Sequence, residues 1–291
     1  MSGATRWTWF GAAAELTKPR IVAMVVLTAG VGYLIGAGGG AAWSTLLHLL
    51  AGTALVAAGA GALNQVAERD VDALMRRTAR RPLPSGRLSL AEATGISYVS
   101  ALAGVVYLGL LVNGITAVVA ALTVGSYVVV YTPLKRRTSL ATLVGALPGA
   151  LPIVGGWTAA HGSLGAEALV LFWIVFLWQL PHFLALSWMY RDDYARAGLK
   201  MLSVGDPDGR VTFRQAVLYA VALIPISLAP AVLGMAGAVY FVGAGLLSGW
   251  FALATARAGR DRSTAMARRL FLASLVYLPG ILVLMVSNRL S

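Results

Sequence analysis

The chain has 291 residues, of which 58% are hydrophobic and 12% charged, with a mean hydropathy of +0.78. Soluble domains carry about 25% charged residues, so a water-soluble fold is excluded and a polytopic, all-α membrane protein is the direct reading. The net charge of +12 is not accompanied by an aromatic-plus-basic module, which argues against nucleic acid as a partner. The lack of cysteine excludes disulfides and thiolate metal sites.

Residues 1–20, MSGATRWTWFGAAAELTKPR, lack the compact apolar run and cleavage site of a signal peptide, and they are poor in the arginine of an organelle transit peptide. Across the whole chain arginine far outnumbers lysine, and alanine and glycine abound, a composition expected of a GC-rich bacterial gene. From Ile21 to Ala67 there is no Asp, Glu, Lys or Arg, room for two spans of about 20 residues broken at GAGGGAAW. Residues 93–134 are equally free of charge and predict two more, joined near Asn113-Gly114. Residues 138–190 hold two spans around the turn AHGSLG, where Glu167 is the one acid. Residues 215–256 hold two split near LGMAG, and 270–288 hold the last. The prediction is a bundle of nine transmembrane helices.

The basic residues test this count. With nine spans, every Lys and Arg except Arg289 falls on one side of the bilayer, and every acid except Glu167 falls there too. Positive loops face the cytoplasm, so the N-terminus is expected inside and the C-terminus outside. The polar chemistry then gathers at one face, in loops about 65–90 and 190–213 of a single domain spanning 1–291.

The second span ends in NQVAERDVDALMRRTARRPLPSGRLS. Asn64, Glu68 and Asp72 are spaced i, i+4, i+8 and share one helix face; Asp70 points elsewhere. Carboxylates at a membrane boundary cost up to roughly 2.5–3.5 kcal/mol each if they reach the core, and clustering adds repulsion unless a cation lies between them. Mg²⁺ takes oxygen ligands and binds through one or two carboxylates plus substrate phosphates. The competing reading pairs these acids with Arg69, Arg76 and Arg77 in a solvated loop. A second acidic pair, Asp192 and Asp193, follows the sixth span in WQLPHFLALSWMYRDDYARAGLKMLSV. Two such patches facing each other would hold a diphosphate through Mg²⁺, with arginine forks on its oxygens.

These segments carry a resemblance to the UbiA-type intramembrane prenyltransferases, and within them to the heme-farnesylating branch. The first is similar to the branch's opening signature, an Asn with acids at +4 and +8 followed by M-x-R-T-x-x-R-P. YTPLKRRTSLATLVGALPGALPIVGGW resembles its second block. WQLPHF, opening the third, separates this branch from the quinone and chlorophyll enzymes. Together the blocks cover most of residues 17–205. Glu68 stands where the superfamily usually has Asp, Ala141 where Asn is expected and Ile153 where a second Pro is common.

The resemblance implies transfer of the farnesyl group of farnesyl diphosphate to the 2-vinyl group of heme B, giving heme O and diphosphate, with Mg²⁺ as cofactor and heme B as substrate. It implies a multi-pass enzyme of the bacterial inner membrane, its site on the cytoplasmic side, associated with heme A synthase or terminal oxidase assembly. Asn64, Glu68, Asp72 and Asp193 are then metal-linked, with Arg196 or Arg191 the competing partner of Asp193. Arg76, Arg80 and Lys135 are candidate diphosphate contacts. Arg76 and Arg80 are preferred to Arg77 because they extend the 64/68/72 stripe in steps of four. Arg81, Tyr131, His182, Arg191, Asp192 and Tyr194 are candidate substrate-binding residues. Tyr131 either presents its ring to a cation or anchors at the interface. His182, behind a helix-kinking Pro181, either meets heme or packs with a hydrogen bond; His48 and His161 read as structural. Another prenyl acceptor, a cation-coupled transporter and a heme-binding assembly factor are the alternatives. The missing internal repeat counts against transport, and the diphosphate-type motif against the assembly factor.

Overall fold

The computed structural model describes residues 3–290, with side chains from residue 8 onward; Arg6, one of the basic residues placed at the polar end, lies outside the described side chains. Every regular element among the described residues is helical, and an isolated bridge joins Ala236 to Arg289. A first helix, α1 (Gly3–Leu16), precedes the long helices α2 (Pro19–Ala37), α3 (Trp43–Leu74) and α4 (Leu90–Leu111). Next, α5 (Gly114–Gly125) runs through a π-helical turn, Ser126–Tyr131, into α6 (Thr132–Leu134). The remainder comprises α7 (Ala141–His161), α8 (Ala166–Met189), the short α9 (Arg191–Arg196), a 3-10 turn at Leu202–Val204, α10 (Arg210–Val232), α11 (Ala238–Asp261) and α12 (Thr264–Ser287). Counting α5 through α6 as one span, nine helices among the described residues are long and apolar enough to cross a membrane.

The expected breaks fall where local chemistry favours them. Ser89 and Glu92 form a reciprocal capping box at the start of α4. Asn113 caps α5, its Oδ1 accepting from the Thr116 amide at 2.8 Å. Gly162, at φ 67°, closes α7 with its amide on the Thr158 carbonyl at 2.8 Å.

Small residues let helices cross closely, as expected where packing rather than water drives association. A Cβ on Gly156 of α7 would lie 2.0 Å from the Ala29 carbonyl oxygen of α2, and one on Gly59 of α3 would lie 2.4 Å from the Ala101 nitrogen of α4. α7 is the most buried span. Beside it, α8 and α10–α12 form the largest apolar cluster, around Ile153, Leu171, Phe213, Tyr240, Phe251 and Tyr277. Within that cluster the Tyr277 hydroxyl meets Ser227 Oγ at 2.6 Å and Ser248 Oγ at 3.0 Å.

Contacts also tie the loops into two ends. At one, Trp9 Nε1 donates to Glu92 at 2.8 Å, Arg87 pairs with Glu15 at 2.7 Å, and the Lys200 amide donates to the Lys135 carbonyl at 2.9 Å. At the other, Asn113 Nδ2 donates to the Thr158 carbonyl at 2.9 Å, and Arg289 Nη1 reaches the Leu34 carbonyl of α2 at 2.9 Å. The acidic motifs lie at the first end, as the charge pattern predicts.

Candidate functional site

The last three turns of α3 carry Asn64, Glu68 and Asp72, all three buried. Each has its own basic partner. Lys18 Nζ donates to Asn64 Oδ1 at 3.0 Å. Lys135 Nζ stands 2.9 Å from Glu68 Oε1 and donates to Oε2 at 3.2 Å. Arg81 Nη1 donates to both oxygens of Asp72, at 2.8 and 2.7 Å. Glu68 Oε1 has that ionic contact but no directed hydrogen bond. The stripe predicted from spacing is therefore real, and it is embedded in positive charge.

The partners arrive from three directions. Arg81 comes from the loop after α3, which folds back on its own helix. α3 stops at Leu74, and Thr78 Oγ1 takes up the Asp72 carbonyl at 2.8 Å, satisfying one of the orphan acceptors of a helix end. This corrects the geometry expected for Arg76 and Arg80, the continued helical stripe by which they were preferred to Arg77. The stripe does not continue through them, because the helix has ended; both are exposed, and Arg81 is the arginine on the acids.

Lys135 follows α6. Its ammonium lies 4.4 Å from the centre of the Tyr131 ring, which stacks on Tyr127 at 5.4 Å. The π-helical turn places these rings, and Thr132 extends the set: it accepts from Asn64 Nδ2 at 3.2 Å and donates to the Tyr127 carbonyl at 2.8 Å. Such turns often mark functional positions. Burial works against the Lys135 charge, but Tyr131, Glu68 and Tyr127 outweigh it and hold the pKa above its usual value.

Lys18 sits in the elbow between α1 and α2 with left-handed backbone angles, φ 56° and ψ 62°. For a residue with a Cβ that conformation costs about 1–3 kcal/mol. Burial, and then the nearby Arg81 and Lys135 charges, lower its pKa to about 7. Sequence reasoning counted Lys18 only as a loop charge. The following Pro19 was the available signal, since a residue before proline is pushed out of the helical region.

The second acidic segment reaches the same end of the bundle. Val71 and Met75 of the α3 terminus pack with Ala197, Leu199, Met201 and Tyr194. Burial raises the Tyr194 pKa, with Arg77, Tyr131, Lys135 and Glu68 all close enough to influence it. Arg77 lies 5.2 Å over the Tyr190 ring and Arg191 4.3 Å over Trp188. Asp193, however, is ion-paired to Arg196, and the exposed Asp192 lies 3.8 Å from Arg191. No group of three or more His, Asp and Glu among the described residues is gathered as a metal set. Tyr194 is thus brought to the first motif, and the two acids keep arginine partners.

His182 sits between α8 and α12. Its Nδ1 meets Ser274 Oγ at 2.7 Å, and its ring stacks on Phe271 at 4.7 Å and Trp178 at 5.3 Å. α8 runs through Pro181 without a break. His48 hydrogen-bonds Tyr107 at 2.9 Å and His161 stacks on Trp157 at 4.3 Å, both far from the acids, as their structural reading requires.

Further along the bundle a small, partly open apolar pocket of about 40 Å³ is lined by Leu49, Thr53, Ala57, Leu108, Val119, Pro152 and their neighbours. Ala57, Thr53 and Leu49 lie 7, 11 and 15 residues before Asn64, on nearly the same face of α3. One helix face therefore runs from the acids down to that pocket. Its polar end offers a carboxamide and two carboxylates, an all-oxygen donor set that fits a hard divalent cation such as Mg²⁺, with Glu68 Oε1 least committed.

Residues 25–276 match the UbiA prenyltransferase family. The chain is 49% identical over 284 residues to the protoheme IX farnesyltransferase of Solibacter usitatus, covering 94% of this chain and 97% of the relative. It is 48% identical over 272 residues to that of Salinibacter ruber, covering 93% and 95%. Among solved structures, one concerned with digeranylgeranylglyceryl phosphate synthase shares the fold at a TM-score of 0.82 and 17% identity, covering 96% of this chain and 98% of its own. A UbiA homolog from Archaeoglobus fulgidus bound to GPP and Mg²⁺ matches at 0.67 and 14% identity, covering 94% and 99%.

Proposed function

Because the chain belongs to the UbiA prenyltransferase family, we propose that it transfers the farnesyl group of farnesyl diphosphate to the 2-vinyl group of heme B, giving heme O and diphosphate. The observation that carries this is the buried Asn64/Glu68/Asp72 face, ringed by Lys18, Arg81 and Lys135, with a small apolar pocket further along the same face of α3. The near full-length relatives named protoheme IX farnesyltransferase supply the acceptor and the prenyl donor.

Asn64, Glu68 and Asp72 would hold Mg²⁺, which when bound offsets the charge of the diphosphate; the Archaeoglobus homolog with GPP and Mg²⁺ supports that choice. Arg81 and Lys135 reach the same place and are the diphosphate contacts in this reading. As the bond between the farnesyl C1 and the diphosphate oxygen breaks, its electron pair leaves with the oxygen, and fixed positive charge there lowers the barrier. The allylic cation left behind faces the Tyr131 and Tyr127 rings, whose π faces favour positive charge. Apolar walls keep water away until the vinyl carbon of heme attacks. Water then adds to the porphyrin side chain, leaving the hydroxyethylfarnesyl arm. Asp193, Arg191 and Tyr194 close the site from the 190–213 loop.

The positive-inside rule supports a cytoplasmic N-terminus and active site and an outer C-terminus. Bacterial relatives support the plasma membrane as its location. We take residues 1–291 as one catalytic unit. The test is purified protein in detergent with Mg²⁺, heme B and farnesyl diphosphate, read by mass spectrometry for heme O, with Asp72→Ala alongside. A heme O product lost in the variant is expected. No product from folded, heme-loaded wild type would refute the acceptor assignment.

A further inference from the structure

The site holds more positive charge than its carboxylates use. Glu68 has Lys135 and Asp72 has Arg81, whereas the one hydrogen bond of Lys18 goes to the neutral Asn64 amide. An ammonium carries three donors, so two remain; Lys18 also stands near Arg81 and Lys135, and the two carboxylates in reach of its charge, Glu68 and Asp72, are already paired, so a buried ammonium there favours a further anion. Yet the chain holds Lys18 there by several means. Its backbone is left-handed. Two residues earlier the chain is clamped, Gln65 Nε2 donating to the Leu16 carbonyl at 2.6 Å. Leu16 and Ala12 of α1 are fully buried against Ala62, Leu88 and Ala93.

The position along α3 adds direction. Asn64 is the member of the stripe nearest the apolar pocket, and Asp72 is two turns further toward the polar end. A prenyl diphosphate whose tail runs from Asn64 along this face of α3 toward the apolar pocket has its first phosphate, the one bonded to carbon, beside Asn64, and its terminal phosphate toward Asp72 and Arg81. We propose that Lys18 binds this first phosphate of the prenyl diphosphate and stabilises the oxygen that departs with the electron pair when the carbon–oxygen bond breaks. The proposal rests on the prenyl-transfer reading above. It also gives α1 a purpose: this helix fixes the elbow from which the ammonium is aimed. Lysine suits the task, because a point charge on a flexible stem can turn from the amide to a phosphate oxygen.

The experiment compares wild type, Lys18→Met and Lys18→Arg by calorimetric titration with inorganic diphosphate in Mg²⁺, then by farnesyl transfer kinetics. Lys18→Met is expected to bind diphosphate at least 10-fold more weakly and to lower kcat/KM for farnesyl diphosphate at least 100-fold. Lys18→Arg should stay within a few fold in binding, and heme binding should be unchanged in both. Diphosphate binding unaltered in a folded Lys18→Met, or lost equally in Lys18→Arg, overturns the proposal. Wild type that binds no diphosphate overturns it together with prenyl transfer. Wild type that binds diphosphate but leaves heme unmodified overturns only the acceptor, and the titration still decides on Lys18.

Discussion

The Tyr131 ring lies directly on Gly145 of α7, so that a Cβ added there would stand 2.5 Å from the ring edge. Gly145→Ala must push the ring back to an ordinary contact of at least 3.4 Å, a shift of about 1 Å. The ring now stands 4.4 Å from Lys135 Nζ, and a shift of that size keeps it inside the ~6 Å reach of a cation–π contact. The loss of stability is therefore small, about 1 kcal/mol, within the lower range for overpacking. Catalysis is more sensitive: a misplacement of about 1 Å at reacting groups costs on the order of 100-fold. Farnesyl transfer to heme B, followed chromatographically, should fall by roughly that factor in kcat while the thermal midpoint changes little. If the effect passes through Tyr131, Gly145→Ala adds nothing in a Tyr131→Leu background, because the two share one interaction. Full activity in Gly145→Ala, or independent losses that multiply in the double variant, would refute the role given to the ring.

Three further outcomes are expected. Arg81→Met strands the fully buried Asp72 carboxylate and should lower stability by about 3–5 kcal/mol; adding Asp72→Asn should recover much of this while transfer stays absent, as read by thermal unfolding beside the heme O assay. Chelation with EDTA should abolish transfer and added Mg²⁺ restore it, with the heme absorption spectrum unchanged throughout. His182→Phe should cost about 1 kcal/mol for its one hydrogen bond to Ser274 and leave the Soret band of bound heme in place; a displaced band would reassign His182 as an iron ligand.

The nine spans are legible because charge is confined so sharply to alternate loops, and Asn64, Glu68 and Asp72 because a fixed spacing of four survives on any helix. What the sequence hides depends on where helices stop. Nothing in Met75-Arg76-Arg77 announces that α3 ends there; the end is set by Thr78 and Arg81 returning to Asp72, a tertiary event. The π-helical turn is equally silent, although it aims Tyr131, Tyr127 and Thr132. Pro19 marks the elbow at Lys18, but its role beside the acids is visible only through its Asn64 contact. The pairing of Asp193 with Arg196 was one of two readings the sequence left open, and local charge within one turn of α9 decided it.

The contact between Arg289 and the Leu34 carbonyl joins the last helix to the first span across 255 residues. The first and last spans of the bundle are thus neighbours, so a change at Arg289 acts on α2 although the two lie far apart in sequence.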